Sequence, residues 1–355
     1  CCATSLGAVL AALADWPSFR GNPALTGVAE PFPARPRLLW TYEAKVPVES
    51  TAAIVGNTVY VGTAGGDVLA LALSNGRLKW RCATGAGVSA SPCVVGNTLY
   101  VGNEEGVFFA INTADGRSVW KQKTGDKIIS SATATTGAVL VGSYDNALYC
   151  FDARTGKTRW RFQTDAQVHC SPCVADGLVM IAGCDGQVRA IDLRTGKQRA
   201  AAATDANMGA APAYQAGIVY VGTMNGEYLA VRAREGRIAW RKKESGEGGC
   251  YASAAVAGNA VVFASRGNKV FRVDAATGKT RWSFRTRGSV DSSPVIAGST
   301  LFFGGDDGTL YALNLADGKK LWSFPAGAAI KASPAIGQGR LVIGSTDGAI
   351  YCFGK

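Results

Sequence analysis

The 355-residue chain offers a single histidine, His169, directly ahead of Cys170-Ser-Pro-Cys173. A lone imidazole can act as acid, base or ligand, and C-x-x-C is the spacing of dithiol redox and zinc sites. No second C-x-x-C exists, and residues three apart on an extended strand point to opposite faces, so shared metal ligation by this pair is not expected. One histidine excludes multi-His metal centres, and no G-x-S-x-G, Walker A or H-E-x-x-H pattern occurs. Eight cysteines follow Ala14: Cys82, Cys93, Cys150, Cys170, Cys173, Cys184, Cys250 and Cys352. Several occupy positions whose equivalents elsewhere hold Ala, Val or Ser, so most are expected to be small buried hydrophobes rather than disulfide partners.

Whatever these residues do, a forty-residue period must position them. Trp40, Trp80, Trp120, Trp160, Trp240, Trp282 and Trp322 share one column, with Ala200 in the vacant place and a two-residue insertion before Trp282. A Gly precedes most of these positions by four residues, and a small residue precedes them by ten, with Arg272 as the exception. Each unit holds four strand-like runs, such as Val88–Val95, Thr98–Gly102, Val107–Asn112 and Ser118–Gln122, with pairs like Asp185-Gly186 and Asn225-Gly226 in the second turn. Seven complete units run from about 46 to 328, and an eighth, Ile330–Lys355, lacks its Trp strand. Arg37–Tyr42 carries the orphan Trp40 and supplies it. The expected fold is all-β: a single eight-bladed β-propeller of four-stranded antiparallel blades, spanning 36–355, with the last blade closed by the N-terminal strand.

Composition agrees. Apolar residues make 47%, enough for a large core, while 45 Gly and 12 Pro without a strict Gly period exclude disorder and collagen and suit many tight turns. Residues 1–14 are uncharged and end in Ala12-Leu13-Ala14, the pattern of a signal-peptide core and cleavage site. They are expected to be the remnant of a secretory signal, with 15–35 a leader segment and the protein exported. The formal charge is +11, and 24 of the 37 Lys and Arg fall in the third-to-fourth-strand turns or on the fourth strands. Such residues protect edge strands, or attract an acidic partner or an anionic membrane surface. Nucleic acid is not expected, since no basic run is interleaved with aromatics.

Function on a propeller axis belongs where columns vary. One residue into the innermost strand the units read Glu49, Ser89, Ile129, His169, Gly209, Tyr251, Asp291 and Lys331, beside columns of uniform Ser and Ala. A funnel lined by Glu49, Ser89, His169, Tyr251, Asp291 and Lys331 is the candidate ligand or partner site. No catalytic residue and no metal ligand is assigned.

The segments Cys150-Phe-Asp-Ala-Arg-Thr-Gly-Lys-Thr-Arg-Trp160 and Val273-Asp-Ala-Ala-Thr-Gly-Lys-Thr-Arg-Trp282 resemble the tryptophan-docking motif of the pyrroloquinoline-quinone (PQQ)-like propellers. In that family the indole packs between the small residue of its own motif and the Gly turn of the next blade. The resemblance implies weaker docking at blades four and six, where Ala200 and Arg272 depart from it. PQQ-dependent alcohol dehydrogenases of the family hold PQQ and Ca²⁺ on the axis beneath an adjacent-cysteine disulfide. Here the only adjacent pair is Cys1-Cys2, and no blade carries a long insertion. The outer-membrane assembly factors of the BamB type are the better likeness. They imply a monomeric, cofactor-free scaffold in the periplasm or at the periphery of the outer membrane that binds a protein partner in the cell envelope, with a quinoprotein oxidoreductase or PQQ-binding sensor as the alternative.

Overall fold

A computed structural model describes residues 14–243 and 248–355. The signal-peptide reading lies outside these residues except at Ala14. The described chain contains strands and turns but no helix, arranged in eight sheets. The first blade is typical: Ala53–Val55, Thr58–Gly62, Asp67–Ala72 and Leu78–Ala83 pair in sequence order, from the axis outward. The eighth pairs Ala335–Gly337, Arg340–Gly344 and Ala349–Gly354 with Arg37–Glu43, and Trp40 stands opposite Cys352. The N-terminal strand therefore closes the last blade, as the orphan tryptophan required.

Six tryptophans of the column lock their blades to the next. Trp80 stands opposite Ala70 on its own blade, and its indole N–H donates to the Thr113 carbonyl of the following blade at 2.8 Å. Its ring lies so close to Gly116 that a Cβ there would sit 2.7 Å from it, and Gly116 has a φ of +75° that a side chain rarely adopts. The same bond forms at Trp40, Trp120, Trp160, Trp240 and Trp282. The expectation for the sixth blade fails: opposite Arg272, Trp282 still donates to the Leu315 carbonyl at 2.9 Å, and Arg272 donates to that same carbonyl. In the fourth blade, where Ala200 leaves no indole, the Ala201 backbone itself lies against Gly236. Trp322, which has no following Gly turn, packs on Phe324 and Phe353.

Inside the tryptophans, a backbone N–H at the start of each innermost strand donates to the preceding blade. Val88 donates to Thr63, Ile128 to Asn103 and, across the closure, Val48 to Ser345. Ser130 and Ser131 illustrate why the neighbouring columns are small. Ser130 takes the Gly142 amide of its own blade, while the Ser131 hydroxyl accepts the amide of Ser91 from the blade before. That second relation repeats from Thr51 through Ser91, Ser131 to Ser171, and from Ala211 through Ser253, Ser293 and Ser333 back to Thr51. The belt of hydroxyls is broken only where Ala211 has none to offer Ser171.

The leader closes the other end of the axis. Its carbonyls accept amides from the innermost strands in ring order: Ala14 from Gln338, Trp16 from Ile54, Pro17 from Val94, Pro23 from Val174, Ala24 from Tyr214, Thr26 from Val256 and Gly27 from Ile296. At the centre Arg20 is fully buried, donating to the carbonyls of Ala254 and Pro294, and burial pushes its guanidinium down to about 9, still charged at neutral pH. A Cβ at Gly27 would collide with it.

The charge surplus is one-sided. The turns between the third and fourth strands lie on the leader's face and place Arg37, Arg77, Arg117, Lys157, Lys197, Arg237, Lys279 and Lys319 at one equivalent, exposed position in all eight blades. Counting the leader, these turns, the first-to-second turns and the strand ends beside them, this face carries 20 basic and 9 acidic residues. The opposite face carries 15 basic and, among the described residues, 15 acidic, with Arg20 buried between the faces and mid-strand Arg272 reaching back to the Leu315 turn.

On the leader's face, carboxylates brace the turns. Asp152 accepts the Thr155 amide and hydroxyl, both at 2.9 Å, and pairs with Arg159 at 2.7 Å; Asp192 and Asp274 repeat the arrangement with Thr195 and Arg199, and Thr277 and Arg281. The arginine partner above all holds each carboxyl well below the usual range. A depressed folded pKa stabilises above the unfolded value of about 4 and loses that contribution as pH falls below it. The triple variant D152N/D192N/D274N should melt below the parent at neutral pH, with the gap narrowing as the pH falls below about 4 toward the depressed folded-state values; a gap independent of pH would contradict this. Trp80→Ala should cost about 3–5 kcal/mol, read by denaturant unfolding, because it removes a large buried ring and an inter-blade bond together.

Candidate functional site

The column singled out in the sequence converges. Glu49, Ser89, Ile129, His169, Gly209, Tyr251, Asp291 and Lys331 line one axial recess, with the hydroxyl belt beneath them and Phe19 of the leader at its floor. They meet because each innermost strand starts at the same height on the funnel face. The recess is blind, since the leader crosses its far end.

A second column, not recognised in the sequence, completes the mouth. It comes from the turn between the second and third strands: Glu104, Tyr144, Cys184, Met224, Arg266 and Asp306, with Ala64 and Thr346 in the remaining blades. These side chains mostly reach the first column of the following blade. The Tyr144 hydroxyl lies 2.6 Å from His169 Nδ1, Tyr251 leans toward Met224 over Gly209, and Arg266 makes a two-pronged pair with Asp291 at 2.8 and 2.6 Å. In the second blade Ser89 donates to Glu104 at 2.5 Å. The signal was present in the sequence as a second column of mixed polar types, fifteen residues beyond the first.

Electrostatically the mouth is largely self-satisfied. Lys331 faces Glu49 at 3.3 Å, both about two-fifths exposed, a pair worth at most about 1 kcal/mol. The Arg266 guanidinium also lies 3.7 Å from the centre of the Tyr251 ring, a cation–π contact. Its bond to Asp291 raises the Arg266 pKa further. Asp306, beside them, is pushed up by burial and by the Asp291 charge. Burial, then the charge of Lys127, lowers the His169 pKa, so the ring is neutral at neutral pH. Burial raises Tyr144 to about 12, which keeps its hydroxyl protonated beside Nδ1.

An axial Ca²⁺ would require six to eight oxygen ligands. Among the described residues no three His, Cys, Asp or Glu side chains converge. Glu49 and Asp291 stand two blades apart, each already on a cation. The donor set on the axis does not fit a calcium-bound quinone. Cys1-Cys2 lies outside the described residues.

In three stretches, residues 33–138, 115–244 and 243–354, the chain matches the family described as outer membrane protein assembly factor BamB. The chain belongs to this family. Among solved structures it is similar to BamB from Moraxella catarrhalis, with 18% identity and a TM-score of 0.78 over 90% of this chain and 98% of that one. It is also similar to quinohemoprotein alcohol dehydrogenase from Comamonas testosteroni, with 15% identity and a TM-score of 0.82 over 96% of this chain and 81% of that one. The computationally designed Ika8 protein gives 16% identity and a TM-score of 0.81 over 90% of this chain and all of that one. At these identities the likeness is one of fold. No curated protein matches the chain. The BamB-family propeller thus shares its architecture with a redox enzyme and with a designed protein.

None of the eight cysteines from Cys82 onward forms a disulfide, and only Cys82 and Cys184 are partly exposed. Burial raises the thiols of Cys93, Cys170 and Cys352 to about 12 and holds that of Cys173 well above its ordinary value. Cys170-Ser-Pro-Cys173 is therefore packing, in agreement with the reading of most cysteines as small hydrophobes. Of these eight, only Cys82 and Cys184 should be labelled by a water-soluble thiol reagent in the native protein, as mapped by peptide mass spectrometry; rapid native labelling of Cys170 or Cys173 would refute the assignment.

Proposed function

We propose that this BamB-family protein is a non-catalytic, protein-binding scaffold of the bacterial cell envelope, acting in outer-membrane protein assembly. The observation that carries this reading is the state of the axial mouth: its Glu49 and Asp291 carboxylates are engaged by Lys331 and Arg266 of the protein itself. A site prepared for a metal-bound quinone needs free oxygen donors. A mouth of paired charges and aromatic edges suits a partner's polar segment, which exchanges one set of hydrogen bonds for another. Family membership supports the same role. The periplasm or outer-membrane periphery is the compartment it implies, with the protein acting as a monomer and without cofactor.

The second reading, a quinoprotein oxidoreductase or sensor, draws on the fold shared with the Comamonas enzyme. One experiment separates the two. A photo-crosslinking residue at Tyr251 should give a discrete protein adduct in envelope preparations. That adduct should be lost in E49A/D291A/K331A, while the purified protein shows no change in absorbance or Tm with PQQ and Ca²⁺. A tight, calcium-dependent PQQ shift would reject the scaffold reading, and an adduct unchanged in the triple variant would remove the funnel from it.

A further inference from the structure

We infer that the leader's face, opposite the funnel, docks on an anionic lipid surface. Two observations of different kinds meet there. The first is the one-sided charge: the excess of eleven basic residues on this face accounts for the formal charge of +11, and eight of those residues recur once per blade around the full circumference. Among the described residues, Arg37, Arg77, Lys157, Lys197 and Lys279 make no ion pair, while Arg117, Arg237 and Lys319 face only exposed turn carboxylates.

The second is apolar. The large hydrophobic side chains exposed among the described residues are Val28, Leu38, Leu39, Leu78, Val95 and Val119. Each lies in the leader, beside a first-to-second-strand turn, or where an outer strand leaves its turn. All six are therefore on the basic face, and they fall on four neighbouring blades: the seventh, eighth, first and second. Exposed apolar residues scattered singly need no explanation. Their confinement to one sector of one face, among cations, is the pattern of an interfacial surface that adds shallow apolar burial to attraction for anionic headgroups.

A lipid plane fits this geometry better than a folded acidic protein. Equivalent positions in eight blades stand at equal height around the axis, so a laterally uniform layer of anions meets all of them at once. A globular partner of similar size engages only an arc. Each basic residue held near an anionic membrane is worth about fivefold in association constant, and the attraction fades within a Debye length of about 8 Å at physiological salt. Docked in this way, the protein turns its funnel away from the membrane. The inference does not rest on the scaffold reading: vesicle binding can fail while the Tyr251 adduct persists, and the reverse.

The test uses the full chain with vesicles of phosphatidylcholine alone and vesicles containing one-third phosphatidylglycerol, read by co-sedimentation. Binding should require the anionic lipid and fall steeply with salt. R117E/K157E/K197E should lose at least about tenfold in affinity, whereas the opposite-face control K123E/R285E/R287E, with the same change in charge, should stay within about twofold of the parent because its sites face away. L78S/V119S, on the apolar sector, should bind severalfold more weakly with an unchanged salt slope; circular dichroism melts show that each variant is folded. Equal losses in the two charge variants, equal binding to both vesicle types, or binding to soluble polyglutamate without binding to anionic vesicles would overturn the proposal, the last assigning the face to an acidic protein.

Discussion

Everything in this molecule answers to one constraint: eight short strands present unpaired backbone edges to a common axis too narrow for ordinary solvation. A buried N–H or C=O without a partner costs about 1–3 kcal/mol, and a ring multiplies that cost by its blades. The chain meets it at three heights. Amides at the funnel end reach back to the previous blade, hydroxyls of Thr51, Ser91 and their successors bridge blades in the middle, and leader carbonyls cover the far end. Tryptophan docking then holds the periphery. The axial recess is what remains when these three layers are in place.

That order explains which parts of the fold and site were legible in the sequence. The tryptophan column announced blade number, strand order and closure because an indole docked on a glycine turn demands both residues at fixed spacing. The mouth column was legible because Glu49, His169 and Lys331 have no packing reason to follow uniform hydrophobics and precede Ser and Ala. Tyr144 and Arg266 were missed because their partners, His169 and Asp291, belong to the next blade, twenty-five residues on, and turn residues are expected to be polar in any case. The docking of Trp282 was misjudged because the long Arg272 side chain directs its guanidinium to the Leu315 carbonyl and leaves the indole its place.

The leader shows the limit of pattern reading. Nothing periodic marks residues 15–35, and no motif says that Arg20 will occupy the axis. Its place follows from geometry that exists only once the ring has formed. Arg20 also belongs to neither face, and its charge is solvated only by backbone carbonyls. The remaining charges separate cleanly because alternate turns of an up-and-down blade emerge on opposite faces. A residue repeated at one turn position is thereby repeated on one side of the disc.

The leader's circuit beneath the blades has a consequence for biogenesis. The segment is synthesised before the blades, so every strand it binds is made later, from Ile54 out to Gln338, and Trp40 must wait for Cys352 before its sheet exists. Few of its contacts are local, so closure is late and slow by the logic of contact order. Until then the ring has open strand edges at the axis and an incomplete final blade, surfaces on which partly folded chains aggregate. The segment that seals the finished molecule therefore spends the folding reaction unpaired, and the interval before it is captured is when the chain has most need of a chaperone.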